Sequence, residues 1–309
     1  MKKISIFTCA YNEETTVEQV YNVIKNLFAG LKQYDYEHIF LDNCSRDRTL
    51  EILKGIAAHD KHVKIVSYSR NFGPIKTEMV GYRHTSGDAV IPFDANLKDP
   101  PEMILEFIKK WEEGYDVVYG IRNQTKDNFV LGYCRKLFYK IINKFSEEKL
   151  PINAGSFRLV DRKLVDELVR IDDYKPYVRG LISSFGFKQI GIEYTRKSRP
   201  SGYSKSRLHY LIDFSINALI NHSHWPIRIC TYLGALMLTL SLAGAVILFL
   251  MKLFFWPGHI SVLAAVTLLI LFFCGIQIFF LGIIGEYVGA IHSQVRKKPF
   301  VIIREKINF

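Results

Sequence analysis

The sequence predicts an α/β fold, a mostly parallel sheet with helices on both faces, continued by membrane-associated helices. Three observations carry that expectation. Short β-branched runs alternate with longer helical patterns through the first 122 residues, and polar segments follow the strand runs. The last quarter then holds two long stretches, 229–251 and 260–285, without one charged side chain.

The strand runs are ISIFT, HIFLD, VKIVSYS, AVIPFDA and DVVYGIR, and helical patterns separate them at 15–31, 47–59, 74–84 and 100–113. Strands alternating with helices of that length make a parallel sheet, because each crossover returns the chain to the same edge. Ligands of open α/β sheets bind at the carboxyl ends of the strands. The post-strand segments AYNEE, DNCSRDRT, SRNFG and DANLKDPPE are therefore where chemistry is expected.

Each charge-free stretch exceeds the 18 or so residues of a membrane span, and at about 1.5 Å per residue it covers the roughly 30 Å hydrocarbon core. Arg228 and the Arg296-Lys297-Lys298 cluster flank the pair, whereas the loop between them, KLFFWPGH, carries only Lys252. The positive-inside rule then puts both termini, and the large N-terminal part, in the cytoplasm. Expected boundaries are a cytosolic domain over 1–205, an amphipathic juxtamembrane segment over 206–226, two spans within 227–290 and a basic cytosolic tail over 291–309. A helix connecting two domains is the alternative reading of the juxtamembrane segment. A Phe-rich second span, with Phe272, Phe273, Phe279 and Phe280, suits packing against lipid or a second copy in a homo-oligomer.

The 309 residues carry 41 Lys plus Arg against 30 Asp plus Glu, net +11 with His neutral, and are 49% hydrophobic. That composition excludes a disordered or collagen-like chain. The basic surplus lacks dense Lys/Arg blocks, which argues against nucleic acid and for anionic lipid as partner. No charged-then-apolar leader precedes ISIFT, so no cleavable signal peptide is expected. Cys9, Cys44, Cys134, Cys230 and Cys274 show no C-x-x-C spacing, which predicts reduced thiols without a disulfide or zinc site.

Asp94 and Asn96 follow the AVIPFDA strand, and hard oxygen donors at a strand end suit Mg²⁺ or Mn²⁺ holding a diphosphate. Asp99 has a plainer reading, since Asp-Pro-Pro-Glu supplies an N-cap, a first-turn Pro and a capping-box Glu102. His222 and His224 lack Cys or carboxylate partners at ligand spacing and read as interfacial residues beside Trp225. Glu286, ending the second span, reads as an interfacial or tail-pairing group.

Taken in order, the four post-strand motifs, the RPSGYSK segment and the two C-terminal spans resemble the polyprenyl-phosphate glycosyltransferases. These are inverting enzymes with a Rossmann-like A-type glycosyltransferase domain, and the bacterial group loads glucose or a related sugar onto undecaprenyl phosphate. The resemblance covers nearly the whole chain, including GEYVGAIHSQVRKKPF. It implies that Tyr11, Asn12 and Glu13, with the turn holding Asn43, cradle the nucleoside. Asp94 matches the first acid of the D-x-D metal motif, and Arg70 and Asn71 match the active-site floor, although a helix start explains Asn71 and Pro74 equally well. Arg199, Gly202, Ser204 and Lys205 match a loop whose basic groups hold diphosphate or lipid phosphate, a lipid headgroup contact being the alternative.

Departures from the family refine these expectations. Asp is common in the family where this chain has Asn43, Asn96 and Ser156, and Lys where it has Pro74. An Asn amide at 43 can accept from uracil N3–H and donate to O4, which favours a UDP-hexose over a GDP-sugar. Asn96 offers the metal a neutral carbonyl, a weaker ligand than a carboxylate. Ser156 stands where the family carries its proposed base, and with Arg158 it would border the acceptor. A lipid phosphate is already anionic near pH 7, so Ser156 need only orient it. Besides transfer from UDP-glucose, two readings stand: a catalytically degenerate membrane scaffold or lipid-phosphate binder, and a GDP-mannose-dependent enzyme.

Overall fold

The computed structural model describes residues 1–122, 154–174, 176–195, 262–296 and 298–309, with scattered positions between 232 and 250. Two compact units are present: 1–218 together with 298–309, and 219–297.

In the first unit, strands β1 (Lys2–Ala10), β2 (Tyr34–Asp42), β3 (Val63–Tyr68) and β4 (Ala89–Pro92) alternate with helices α1 (Val17–Ala29), α2 (Thr49–His59) and α3 (Pro74–His84). Helix α4 (Met103–Glu112) leads to β5 (Val117–Arg122), and β6 (Ala154–Asp161), α5 (Arg162–Arg170), α6 (Val178–Ser184) and β7 (Gln189–Tyr194) follow. The sheet has eight strands in the order β7-β5-β6-β4-β1-β2-β3-β8, the last being Ile303–Ile307. β1 to β4 run parallel, as the alternation predicts. β6 is antiparallel to both β4 and β5, and β8 antiparallel to β3.

Apolar side chains of α1, α2 and α4 cover one face, around Ile4, Ile6, Phe40 and Ile91. Those of α3, α5 and α6 cover the other, around Phe7, Leu41, Val90 and Val160. Both faces are thus buried, which is why the strands are near-continuous apolar runs. Pro74 occupies the first turn of α3 after Gly73, whose φ of +86° suits glycine, and its fixed φ is preorganised for a helix start.

Asp99 lies four residues before α4, which begins at Met103, and is buried, accepting a 2.5 Å hydrogen bond from Tyr194 Oη. The tail returns as β8, with Glu305 on Lys54 at 2.6 Å and Asn308 Nδ2 donating to the carbonyls of Ala57 and Val63.

Helix α7 (Val262–Val295) lies in the second unit and runs ten residues beyond the expected end of the span at Gly285. Among the described residues one helix is long and apolar enough to cross a membrane, over Phe272–Val295, with its apolar side chains exposed. The first expected span is described only at scattered positions, several of them helical.

Toward the amino-terminal end of the sheet the buried Glu37 gathers Lys64 at 2.7 Å, Ser5 Oγ at 2.6 Å and the Ser86 amide at 2.7 Å. Burial pushes its carboxyl up, but Lys64, Ser5 and Ser86 outweigh it and hold the pKa down to about 2. A depressed carboxylate stabilises the fold fully above its unfolded pKa, and that contribution fades as pH falls from about 4.5 toward about 2. Glu37→Gln is expected to cost about 3 kcal/mol at pH 7. Thermal melting at pH 7 and pH 3 checks this, the variant losing less on acidification than the parent.

Candidate active site

The turns after β1 and β2 are laced together by their own polar side chains. Asn12 N donates to Ser45 Oγ at 3.0 Å, while Asn12 Oδ1 accepts from Arg46 N at 2.8 Å. Glu13 N donates to Thr49 Oγ1 at 2.9 Å, and Arg48 N to Glu14 Oε2 at 3.0 Å. Asn12 and Cys44 hold left-handed backbone at φ 55° and 61°, so both turns are bent tightly and over-determined by these bonds. Asn43, nearly buried, accepts from Phe72 N at 2.8 Å and so ties the third post-strand segment to the second.

Beside these turns a cavity of about 430 Å³ opens at the carboxyl end of the sheet, lined by Cys9, Glu13, Glu78, Asp94, Asn96, Arg122, Ser156 and Arg179 among others. Strand alternation explains its floor: on β6, Phe157 packs into the core on Phe93 and Phe107, which turns Ser156 and Arg158 to the α3 and α6 face. Arg158 is buried beneath, donating from Nη2 to Gly155 O at 2.8 Å, and burial lowers its pKa. Arg179 donates from Nε and Nη2 to Ser156 Oγ at 3.3 and 3.1 Å. Burial raises the Glu78 carboxyl pKa; Arg179 and Arg158 oppose the rise, Asp94 adds to it and the Ser156 hydroxyl opposes it. Burial, with Glu78 and Asp94, also raises the Cys9 thiol well above its usual range, so it stays protonated.

On the far wall Arg122 donates to Tyr194 Oη at 3.2 Å and lies 4.0 Å from Asp99. Its guanidinium passes so close over Gly155 that a side chain there would overlap it.

The sequence profile described as Glycosyl transferase family 2 matches residues 5–169. The chain belongs to glycosyl transferase family 2. A second profile, described as the GtrB C-terminal hairpin, matches residues 225–291. The chain is 36% identical over 302 residues to the uncharacterized glycosyltransferase YkcC of Bacillus subtilis, covering 97% of this chain and 93% of that protein. It is 34% identical over 307 residues to the SfII prophage-derived bactoprenol glucosyl transferase of Shigella flexneri, covering 98% of each. Glucosyl-3-phosphoglycerate synthase from Mycobacterium tuberculosis, solved with Mn²⁺, UDP and glucosyl-3-phosphoglycerate, shares the fold at TM-score 0.50 and 21% identity over 71% of this chain and 78% of that one. The domain is an A-type glycosyltransferase fold.

In this family 2 glycosyltransferase the residues singled out from sequence fall into three groups. Glu13, Asp94, Asn96 and Ser156 line the cavity, while Tyr11, Asn12 and Asn43 belong to the laced turns at its side. Arg70 does not reach the floor: it is exposed, with its guanidinium over the Phe72 ring at 4.3 Å. Arg199, Gly202, Ser204 and Lys205 lie outside the described residues, as do His222, His224 and Trp225.

Asn96 differs in detail from expectation. Its Nδ2 donates to Asp94 Oδ2 at 3.2 Å and its Oδ1 accepts from Lys98 N at 3.1 Å, so the amide turns nitrogen, not oxygen, toward the carboxylate. No group of three His, Cys, Asp or Glu ligands occurs among the described residues. The donor set therefore fits a hard divalent cation carried in by diphosphate oxygens, with Asp94 as anchor, rather than a dedicated protein cage.

Reading the sequence missed Glu78, Arg122 and Arg179. The available signal for Glu78 was its spacing, four residues before Tyr82 on the inward face of α3. For Arg179 it was a charge within the apolar run YVRGLI.

The laced turns yield a test. Asn12→Gly keeps the left-handed backbone and loses the bond to Arg46, at about 1 kcal/mol. Asn12→Ala adds the left-handed cost of roughly 1–2 kcal/mol. Melting of the two variants is expected to rank parent, Gly, then Ala.

Proposed function

We propose that this glycosyltransferase moves a hexose, glucose in the first instance, from a UDP-sugar to undecaprenyl phosphate with inversion at the anomeric carbon. The observation that carries the reading is a single cavity joining a post-strand acid, Asp94, to two arginines, Arg122 and Arg179, set in different walls. Two phosphate-bearing substrates need that arrangement, one cationic clamp for each. The near full-length similarity to a bactoprenol glucosyl transferase supports the choice of sugar and lipid.

The laced turns hold the nucleoside, with Asn43 donating from Nδ2 to uracil O4 while its carbonyl oxygen, already bound to Phe72 N, uses a second lone pair on N3–H. Asp94, with Asn96 after rotation of its amide, holds the divalent cation, Mg²⁺ or Mn²⁺, which supplies charge neutralisation to the diphosphate. Arg122, fixed by Tyr194 and Asp99, faces the charge that grows on the leaving diphosphate. Arg179, held by Ser156, receives the acceptor phosphate on the opposite side. A phosphate oxygen bonds to the anomeric carbon as the bond to the diphosphate breaks, and the electron pair leaves with UDP. Positioning and preorganised charge supply the rate.

The sheet supports a two-span membrane arrangement. β7 and β8 belong to one sheet, so the chain between them leaves and rejoins one domain and crosses any membrane an even number of times. With α7 as one crossing, the charge-free stretch 229–251 is the other, which agrees with the hairpin match at 225–291. The catalytic domain and both termini then share the cytoplasmic side.

Purified protein in detergent, given a panel of UDP- and GDP-sugars, undecaprenyl phosphate and Mg²⁺, Mn²⁺ or EDTA, tests the reading. Metal-dependent labelling of lipid from UDP-glucose is expected, and Asp94→Ala is expected to lower it at least about 100-fold. Stronger competition by GDP than by UDP would point to mannose, and no transfer from any donor beside an active relative would leave a scaffold.

A further inference from the structure

The transfer turns a phosphate monoester into a diester, and a diester has no second ionisable proton. With the monoester's second pKa at about 6, a share of the acceptor arrives still protonated and that proton has to go somewhere. Ser156 cannot take it. Both lone pairs of its Oγ are occupied by Arg179 Nε and Nη2, so the hydroxyl acts only as a donor.

Glu78 stands against this pair. It lines the same cavity from α3, and its buried Oε1 has no hydrogen-bond partner among the described residues. The groups facing it are Arg179 from α6, Arg158 and Ser156 from β6, Asp94 after β4, Cys9 from β1 and Tyr82 one turn on in α3. Of these, Cys9 and Tyr82 are held protonated by burial, the arginines are donors only, and Asp94 is turned to Asn96. A buried carboxylate oxygen left unpaired in a cleft is costly and calls for a ligand donor.

Resting on the transferase reading above, we propose that Glu78 is a catalytic residue on the acceptor side, where Oε1 accepts the proton of the acceptor phosphate as the glycosidic bond forms. The phosphate oxygens on Arg179 are the bare ones, and one of them attacks. The bond from oxygen to the anomeric carbon forms, the bond from that carbon to the diphosphate breaks with its electron pair going to UDP, and the proton rests on Glu78 until solvent removes it. The Ser156 hydroxyl, donating to the same carboxyl, keeps Oε1 facing the acceptor.

The test moves the carboxylate from α3 to β6. Glu78→Gln keeps the shape and is expected to lower kcat for transfer about twofold at pH 6, where about half of the acceptor arrives protonated, with little change at pH 8 and UDP affinity changed less than about threefold at either pH. Glu78→Gln/Ser156→Asp restores a carboxylate beside Arg179 and is expected to recover the kcat that the single variant loses at pH 6. Titration calorimetry with UDP and Mn²⁺ reports whether the cleft survives each change. A Glu78→Gln enzyme with parental kcat at pH 6 overturns the proposal, as does a loss of turnover matched by loss of UDP affinity, or a double variant no better than the single at that pH. Failure of the underlying reading looks different, because the unaltered chain would then transfer no sugar at all.

Discussion

The cleft depends on the two-residue alternation of β6 and on its antiparallel insertion between β4 and β5. Phe157 anchors that register by packing on Phe93, Phe107 and Tyr194 in the core. Its neighbours Ser156 and Arg158 must then face α3 and α6, and a slip of one residue would exchange the two faces. Close approaches fix the rest of the wall. Gly120 leaves room for the Tyr194 ring and Gly155 for the Arg122 guanidinium, so Asp99, Tyr194 and Arg122 can stack into one polar column.

Two buried carboxylates show how the ends of the sheet differ. Glu37, toward the amino-terminal end, has Lys64, Lys3, Ser5 and Ser86 around it and is held down to about 2. Glu78, in the cleft, has an unpaired oxygen and is pushed up by burial despite the two arginines nearby. A carboxylate with every lone pair satisfied stabilises a fold, whereas a buried one left short of donors is under strain that a ligand can relieve. The same chain thus makes one acid structural and leaves another available for chemistry.

The parallel half of the fold was legible because it is written in local periodicity. α3 was expected over 74–84 and is found at Pro74–His84, and the post-strand turns hold Glu13, Asp94 and Asn96 as the topology requires. Long-range pairing was less accessible. Nothing local marks β6 as antiparallel, and the tail strand IREKI, although its burial alternates, follows a basic cluster that reads as a membrane flank. Asp99 carried a strong capping pattern, whereas its pairing with Tyr194 and Arg122, distant in sequence, had no local mark. Arg70 followed the motif and not the geometry, for the aromatic face of Phe72 holds it at the surface.

The return of the tail has a consequence for assembly of the molecule. Without β8, strand β3 would be an open parallel edge, a template for pairing with other chains. β8 covers that edge while exposing Arg304 and Lys306, whose charges discourage further pairing. The partners are distant in sequence, Ile65 lying opposite Ile307, so this pairing carries a large loop-closure cost in a free chain. On the two-span arrangement proposed above, membrane insertion lowers that cost, because an even number of crossings returns the chain to the side of the catalytic domain. On that arrangement the same apolar segment that anchors the enzyme also brings β8 back beside β3 to close the edge of its sheet.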